Sequence, residues 1–207
     1  MNQTPSAKHQ APKIILALDV DNFIRAKYFI NKLYPKIKIF KVGSQLFTSC
    51  GPKIIDFINK KGGQVFLDLK FFDIPNTTAN AVKAAVRLKV KMLTLHASGG
   101  KEMLEAAVNA GKKEASRLKV KKPLLIAVTV LTSQEASPEE VLKLARLGID
   151  SGLDGVVCSV KEAALLKRNI KKQFVVVTPG IRPSNVARND QKRAATVRDA
   201  IKAGSDF

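Results

Sequence analysis

From residue 14 onward the chain alternates short apolar runs with segments in which apolar residues recur three and four positions apart. IILALDV (14–20), KIFKVG (38–43), VFLDLK (65–70), KMLTLHA (91–97), PLLIAVTVL (123–131), GVVCS (155–159) and FVVVTPG (174–180) are short and mostly rich in aliphatic residues, which predicts strands. NTTANAVKAAVRLK (76–89) and PEEVLKLARLGIDSG (138–152) carry helical spacing, so the pattern is seven repeats of strand then helix. Runs apolar on both faces imply a parallel sheet covered by helices. No GxGxxG follows the first strand, as a dinucleotide-binding doubly wound sheet would favour. Polar or charged residues instead stand at or after most strand ends: Asp19, Lys41, Asp68 with Lys70, His96, Thr132 and Arg182. Groups contributed by many strands to one mouth are the signature of a TIM (β/α)8 barrel, which is the predicted fold.

The third run raises a specific question, because VFLDLKFFDIPNTT (65–78) reads as a buried strand yet carries Asp68 and Lys70, with Asp73 just beyond. Strict alternation places Asp68 and Lys70 on one face and Leu67 and Leu69 on the other. Burying either charge alone costs several kcal/mol, which leaves a structural ion pair or a polar active site.

Composition narrows the classes. The 207 residues suit one domain, expected over 14–207 after a polar, disordered tail at 1–13. No run of about 18 apolar residues is present, and the polar opening lacks the hydrophobic region of a signal peptide, so a cytoplasmic protein without membrane association is expected. Cys50 and Cys158 are far apart and lie outside any CxxC pattern, which predicts free thiols. The formal net charge of +19 invites a nucleic-acid reading. The lysines, however, spread over nearly every predicted helix, Trp is absent and only two Tyr occur, so general attraction for anionic ligands is expected rather than a specific nucleic-acid partner.

ALDV with Asp19, FKVG with Lys41, DLKFFDIPNT (68–77), HASGG from His96, VTVLTS with Thr132, GLDGVVCS and TPGIRP with Arg182 together resemble bacterial orotidine 5′-phosphate decarboxylase, from about residue 14 to the last residue. The resemblance implies conversion of orotidine 5′-phosphate to UMP and CO2, the last step of pyrimidine nucleotide synthesis, with no metal or organic cofactor. It maps the family's alternating array of lysines and aspartates onto Lys41, Asp68, Lys70 and Asp73. It also implies a homodimer in which Asp73 and Thr77 serve the neighbouring subunit's site. Lys70 is then the cation beside C6, able to stabilise the developing carbanion and to donate a proton to it. Asp19 and Lys41 become the ribose-binding pair, and Thr132 contacts the pyrimidine. Arg182 and Gln191 belong to a loop that closes over phosphate and base. The mechanism gives His96 no role, so it is expected to be a satisfied strand-end histidine.

Two departures from the family carry expectations. The segment between Thr132 and GLDG is shorter than usual, and the chain stops at AGSDF, where the family enters an eighth strand with a phosphate-binding Gly-Arg pair and a last helix. A barrel lacking both, with bare edges at its first and seventh strands and reduced activity, is the expectation. The alternatives are a Mg-dependent sugar-phosphate decarboxylase of the same suprafamily, which shares DxKxxD, an inactive truncated copy, and a basic nucleic-acid-binding module.

Overall fold

Seven parallel strands pair in the order in which they occur along the chain in the computed structural model, which describes residues 13–131, 133–182 and 195–207. They are β1 (Ile15–Ala17), β2 (Ile39–Gly43), β3 (Gln64–Phe71), β4 (Met92–His96), β5 (Leu124–Val128), β6 (Gly155–Val157) and β7 (Val175–Val177). Each lies within or close to one of the predicted runs. Every neighbour in the sheet is the next strand in sequence, whereas a doubly wound sheet reverses direction at a switch point. The winding is therefore that of a TIM barrel, with helices α1 (Phe23–Leu33), α2 (Ser44–Cys50), α3 (Lys53–Lys60), α4 (Pro75–Arg87), α5 (Gly100–Leu118), α6 (Pro138–Asp150), α7 (Val160–Asn169) and α8 (Val197–Lys202) in the crossovers.

Alternation along the strands divides the apolar residues into two cores. Phe40, Val42, Val65, Leu67, Leu93, Leu95, Leu125 and Ala127 point outward and pack with helix residues such as Ile30, Ile58, Val82 and Leu104. Ile39, Phe66, Met92, Ile126 and Val177 point inward and fill the barrel. Positions two residues further along the same inward rows are Lys41, Asp68 and Thr94, so the polar residues stand directly above an apolar floor.

Helix starts are fixed by short polar side chains. Ser137, Ser159 and Thr196 accept from the third backbone amide of α6, α7 and α8, the last two in reciprocal capping boxes. On the outside, Glu114 of α5 is only 6% exposed and receives Arg87 of α4 at 2.7 Å and Arg117 at 2.8 Å. The two guanidiniums hold its carboxyl down at about 2.

The expectation of bare barrel edges is corrected at one end. Residues 205–207 lie between β7 and β1: Asp206 N donates to Val176 O at 2.9 Å, Thr178 N donates to Phe207 O at 2.9 Å, and Lys13 N donates to Asp206 O at 3.0 Å. The Phe207 ring joins the inner core. Asp206 repeats the role of Asp154 ahead of β6, where the carboxylate accepts from Leu125 N and the carbonyl accepts from Val175 N. Lys13 and Lys91 stand just ahead of strands β1 and β4, and burial together with Lys13 and Lys121 lowers the Lys91 ammonium's pKa. Cys50 and Cys158 are free, as expected, and burial raises the Cys158 thiol. Among the described residues no helix is long and apolar enough to cross a membrane.

Candidate active site

The charged residues of the mouth form a chain of contacts. Lys41, at the centre of β2, places Nζ 3.0 Å from Asp19 Oδ1 beyond the end of β1 and 3.8 Å from Asp68 Oδ2 on β3. Lys70 Nζ reaches the same Asp68 oxygen at 3.0 Å. Charge alternates along Asp19, Lys41, Asp68 and Lys70. Exposure of the side chains falls from 68% at Asp19 through 23% at Lys41 to 14% at Asp68, then rises to 36% at Lys70. Asp68 is thus the enclosed hub, and both ammoniums retain a side open to the mouth.

Strict alternation put Asp68 and Lys70 on one face, and the structure brings them together by a different route. Register between β3 and β4 shifts after Leu67, which pairs with Leu93, so that the next matched pair is Phe71 with Leu95. Four residue steps on β3 pass against two on β4, and the slack is taken up at Lys70, which adopts φ 51°. A lysine in this left-handed region costs about 1–2 kcal/mol, so surrounding contacts must hold it there. Thr94, fully buried on β4, supplies one, since its Oγ1 accepts from Lys70 N at 2.9 Å and donates to Asp68 Oδ1 at 3.0 Å. Sequence reasoning passed over Thr94. The available signal was its place in KMLTLHA, where alternation sets Met92, Thr94 and His96 on one face.

His96 ends β4 and packs edge-on against Phe72 at 5.7 Å between ring centroids. Burial, reinforced by Lys70 and partly opposed by Asp68, lowers its pKa, which favours the neutral ring. Asp73 and Thr77 are exposed, and among the described residues Asp73 makes no ion pair within its own chain. Its Oδ1 accepts from Ile74 N at 2.7 Å, and its carbonyl accepts from Thr78 Oγ1 at 3.2 Å. Beside them Phe72 and Ile74 are 61% and 66% exposed. A groove of about 270 Å³ runs from Lys70 past Asp73 to Thr77.

Arg182 follows β7 and is exposed, and the structure does not bring it to the array. Its guanidinium donates to Ile181 O at 3.2 Å, while its backbone amide donates to Ala195 O at 3.0 Å. Thr132 and Gln191 lie outside the described residues.

Residues 12–207 match the model of the orotidine 5′-phosphate decarboxylase / HUMPS family. An orotidine 5′-phosphate decarboxylase of Vibrio cholerae is 46% identical over 207 residues, covering 95% of this chain and 88% of the relative. One from Trichlorobacter lovleyi is 47% identical over 206 residues, covering 94% and 85%. Among solved structures, orotidine 5′-phosphate decarboxylase from Lactobacillus acidophilus superposes with a TM-score of 0.83 at 36% identity, covering 95% of this chain and 88% of that one. A family match over nearly the whole chain agrees with relatives close to half identical and with a shared barrel, and the chain therefore belongs to the orotidine 5′-phosphate decarboxylase / HUMPS family.

Proposed function

We propose that this chain converts orotidine 5′-phosphate to UMP and CO2, as the last step of UMP synthesis in the cytoplasm, using its own side chains without a metal or organic cofactor. The observation that carries the reading is the alternating array, in which Asp68 Oδ2 lies 3.0 Å from Lys70 Nζ and 3.8 Å from Lys41 Nζ above an apolar floor. On this reading residues 14–207 act as one barrel domain.

The chemistry follows from charge. Breaking the bond between C6 and the carboxylate leaves an electron pair on C6, and CO2 departs neutral. A fixed ammonium beside C6 stabilises that pair as it develops, which lowers the barrier by preorganisation. Lys70 supplies the ammonium. One of its protons passes to C6 to give UMP, and the resulting amine regains a proton from solvent. Asp68 holds Lys70 toward the ring and lies where the departing carboxylate sits. Lys41 donates to ribose hydroxyls and Asp19 accepts from them. By the family resemblance Thr132 contacts the pyrimidine, Arg182 grips the phosphate and Gln191 bridges phosphate and base.

The functional unit is a homodimer. Asp73 and Thr77 are exposed, Asp73 has no cationic partner among the described residues of its own chain, and Phe72 and Ile74 form an apolar rim beside them. A second copy covering that rim receives Asp73 and Thr77 at its own site.

The second reading, a Mg-dependent sugar-phosphate decarboxylase, is less well supported. Asp68 already faces two ammoniums and a hydroxyl, which disfavours a divalent cation at the same carboxylate. A spectrophotometric assay of orotidine 5′-phosphate loss with excess chelator separates the two. Undiminished turnover is expected. Turnover that requires Mg, or occurs only on a sugar phosphate, overturns the reading.

A further inference from the structure

We infer that Thr94 is a positioning residue of the array, its single hydroxyl fixing both the backbone of Lys70 and the orientation of Asp68. The inference rests on the decarboxylase reading for its kinetic consequence, but its geometric content stands without it.

Proton accounting sets the direction of both hydrogen bonds. The Lys70 amide can only donate, so at 2.9 Å Thr94 Oγ1 accepts from it. The hydroxyl's one hydrogen is then free for Asp68 Oδ1 at 3.0 Å, where an ionised carboxylate can only accept. With Oδ1 held by Thr94, Oδ2 is the oxygen presented to Lys70 and Lys41. One group thus determines which carboxylate oxygen meets the ammoniums and anchors the residue whose φ is 51°. Thr94 is fully buried, so water cannot replace the hydroxyl without rearrangement. It stands in the same inward layer as Lys41 and Asp68, and both of its hydrogen bonds go to residues of the array. Thr94 therefore acts through Asp68 and Lys70, and a small displacement of a catalytic group is enough to slow a reaction by about a hundredfold.

The test is a graded series at this position. Thr94→Val keeps the shape and removes both hydrogen bonds, Thr94→Cys keeps a weak donor, and Thr94→Ser keeps the hydroxyl. The expected result is a fall in kcat of about tenfold or more for Thr94→Val, with KM and UMP affinity within about threefold of wild type. Thr94→Cys should be intermediate, and Thr94→Ser should recover most of the loss. A purely structural role would lower Tm while the folded fraction kept its kcat. If Thr94→Val does not fold, the ordering of the cysteine and serine variants decides. Thr94→Cys turning over as fast as Thr94→Ser overturns the inference, as does a folded Thr94→Val with wild-type kcat. A crystal structure of Thr94→Val, or of Thr94→Cys should the valine variant not fold, gives an arm independent of activity. Lys70 is expected to leave the left-handed region or to lose contact with Asp68 Oδ2. An unchanged Lys70 backbone and an unchanged contact overturn the inference whatever substrate the chain uses. A wild-type chain inactive on orotidine 5′-phosphate would instead sink the functional reading alone.

Discussion

Asp68→Asn is the substitution whose effect can be worked most fully from the geometry. It preserves shape and the acceptor for Thr94 but removes the charge from between two ammoniums at 3.0 and 3.8 Å. Breaking an exposed pair costs under about 1 kcal/mol, while breaking a fully buried one costs about 3–5 kcal/mol. Asp68 is 14% exposed and its cations are more open, so a loss of about 2–3 kcal/mol is expected for the network. Felt wholly in the transition state, that is a fall in kcat of about 30- to 150-fold. Initial rates of orotidine 5′-phosphate loss give kcat and KM, and competitive inhibition by UMP gives product affinity. If Asp68 serves only to hold Lys70, KM is unchanged. If it also crowds the substrate carboxylate, KM falls together with kcat, because a ground-state penalty has been removed. UMP has no carboxylate, so its affinity is unchanged in either case. A kcat within about threefold of wild type would refute the hub role drawn from these distances.

Two further outcomes follow from the site and its surroundings. The lowered pKa of His96 means that the unfolded chain takes up that proton first, so stability should decline as pH falls below about 6.5. His96→Gln should lack that part of the decline, and an imidazole NMR titration placing His96 at or above 6.5 would be contrary. In the proposed dimer, Lys70→Ala and Asp73→Ala homodimers should be nearly inactive. An equal mixture allowed to exchange subunits should regain about a quarter of wild-type activity, since half the dimers are mixed and each has one intact site of two. No recovery despite demonstrated exchange would place Asp73 at its own subunit's site.

A parallel sheet covered by helices was legible because the strands are apolar on both faces and the crossovers have helical spacing. The barrel, rather than a doubly wound sheet, was legible because polar residues stand at most strand ends instead of at one switch point. Asp68 and Lys70 stood out because charge in a buried run is costly unless paired, whereas Asp19 and Lys41 stood out as polar residues at strand ends that match the family resemblance. Strict alternation assumed an unbroken strand through Lys70, but the structure has a register shift there, and period-two reasoning cannot locate a bulge held by a side chain on the next strand. Thr94 was overlooked for the same reason, since its importance lies in contacts to β3 rather than in its own segment. The closing of the barrel base by Asp206 and Phe207 was also hidden, because AGSDF shows no strand pattern of its own and its pairing depends on β7 and Lys13.

On the proposed reading Lys70, held by Asp68, carries the decarboxylation of orotidine 5′-phosphate. The most direct test of that reading is release of labelled CO2 from substrate labelled at the carboxylate, measured for the wild-type chain and Lys70→Ala under saturating substrate. The wild-type chain is expected to release CO2 with chelator present. Lys70→Ala should be slowed far beyond tenfold, a barrier increase well above about 1.4 kcal/mol, while still binding UMP. Release by Lys70→Ala at more than about a tenth of the wild-type rate, or none by the wild-type chain, would contradict the account.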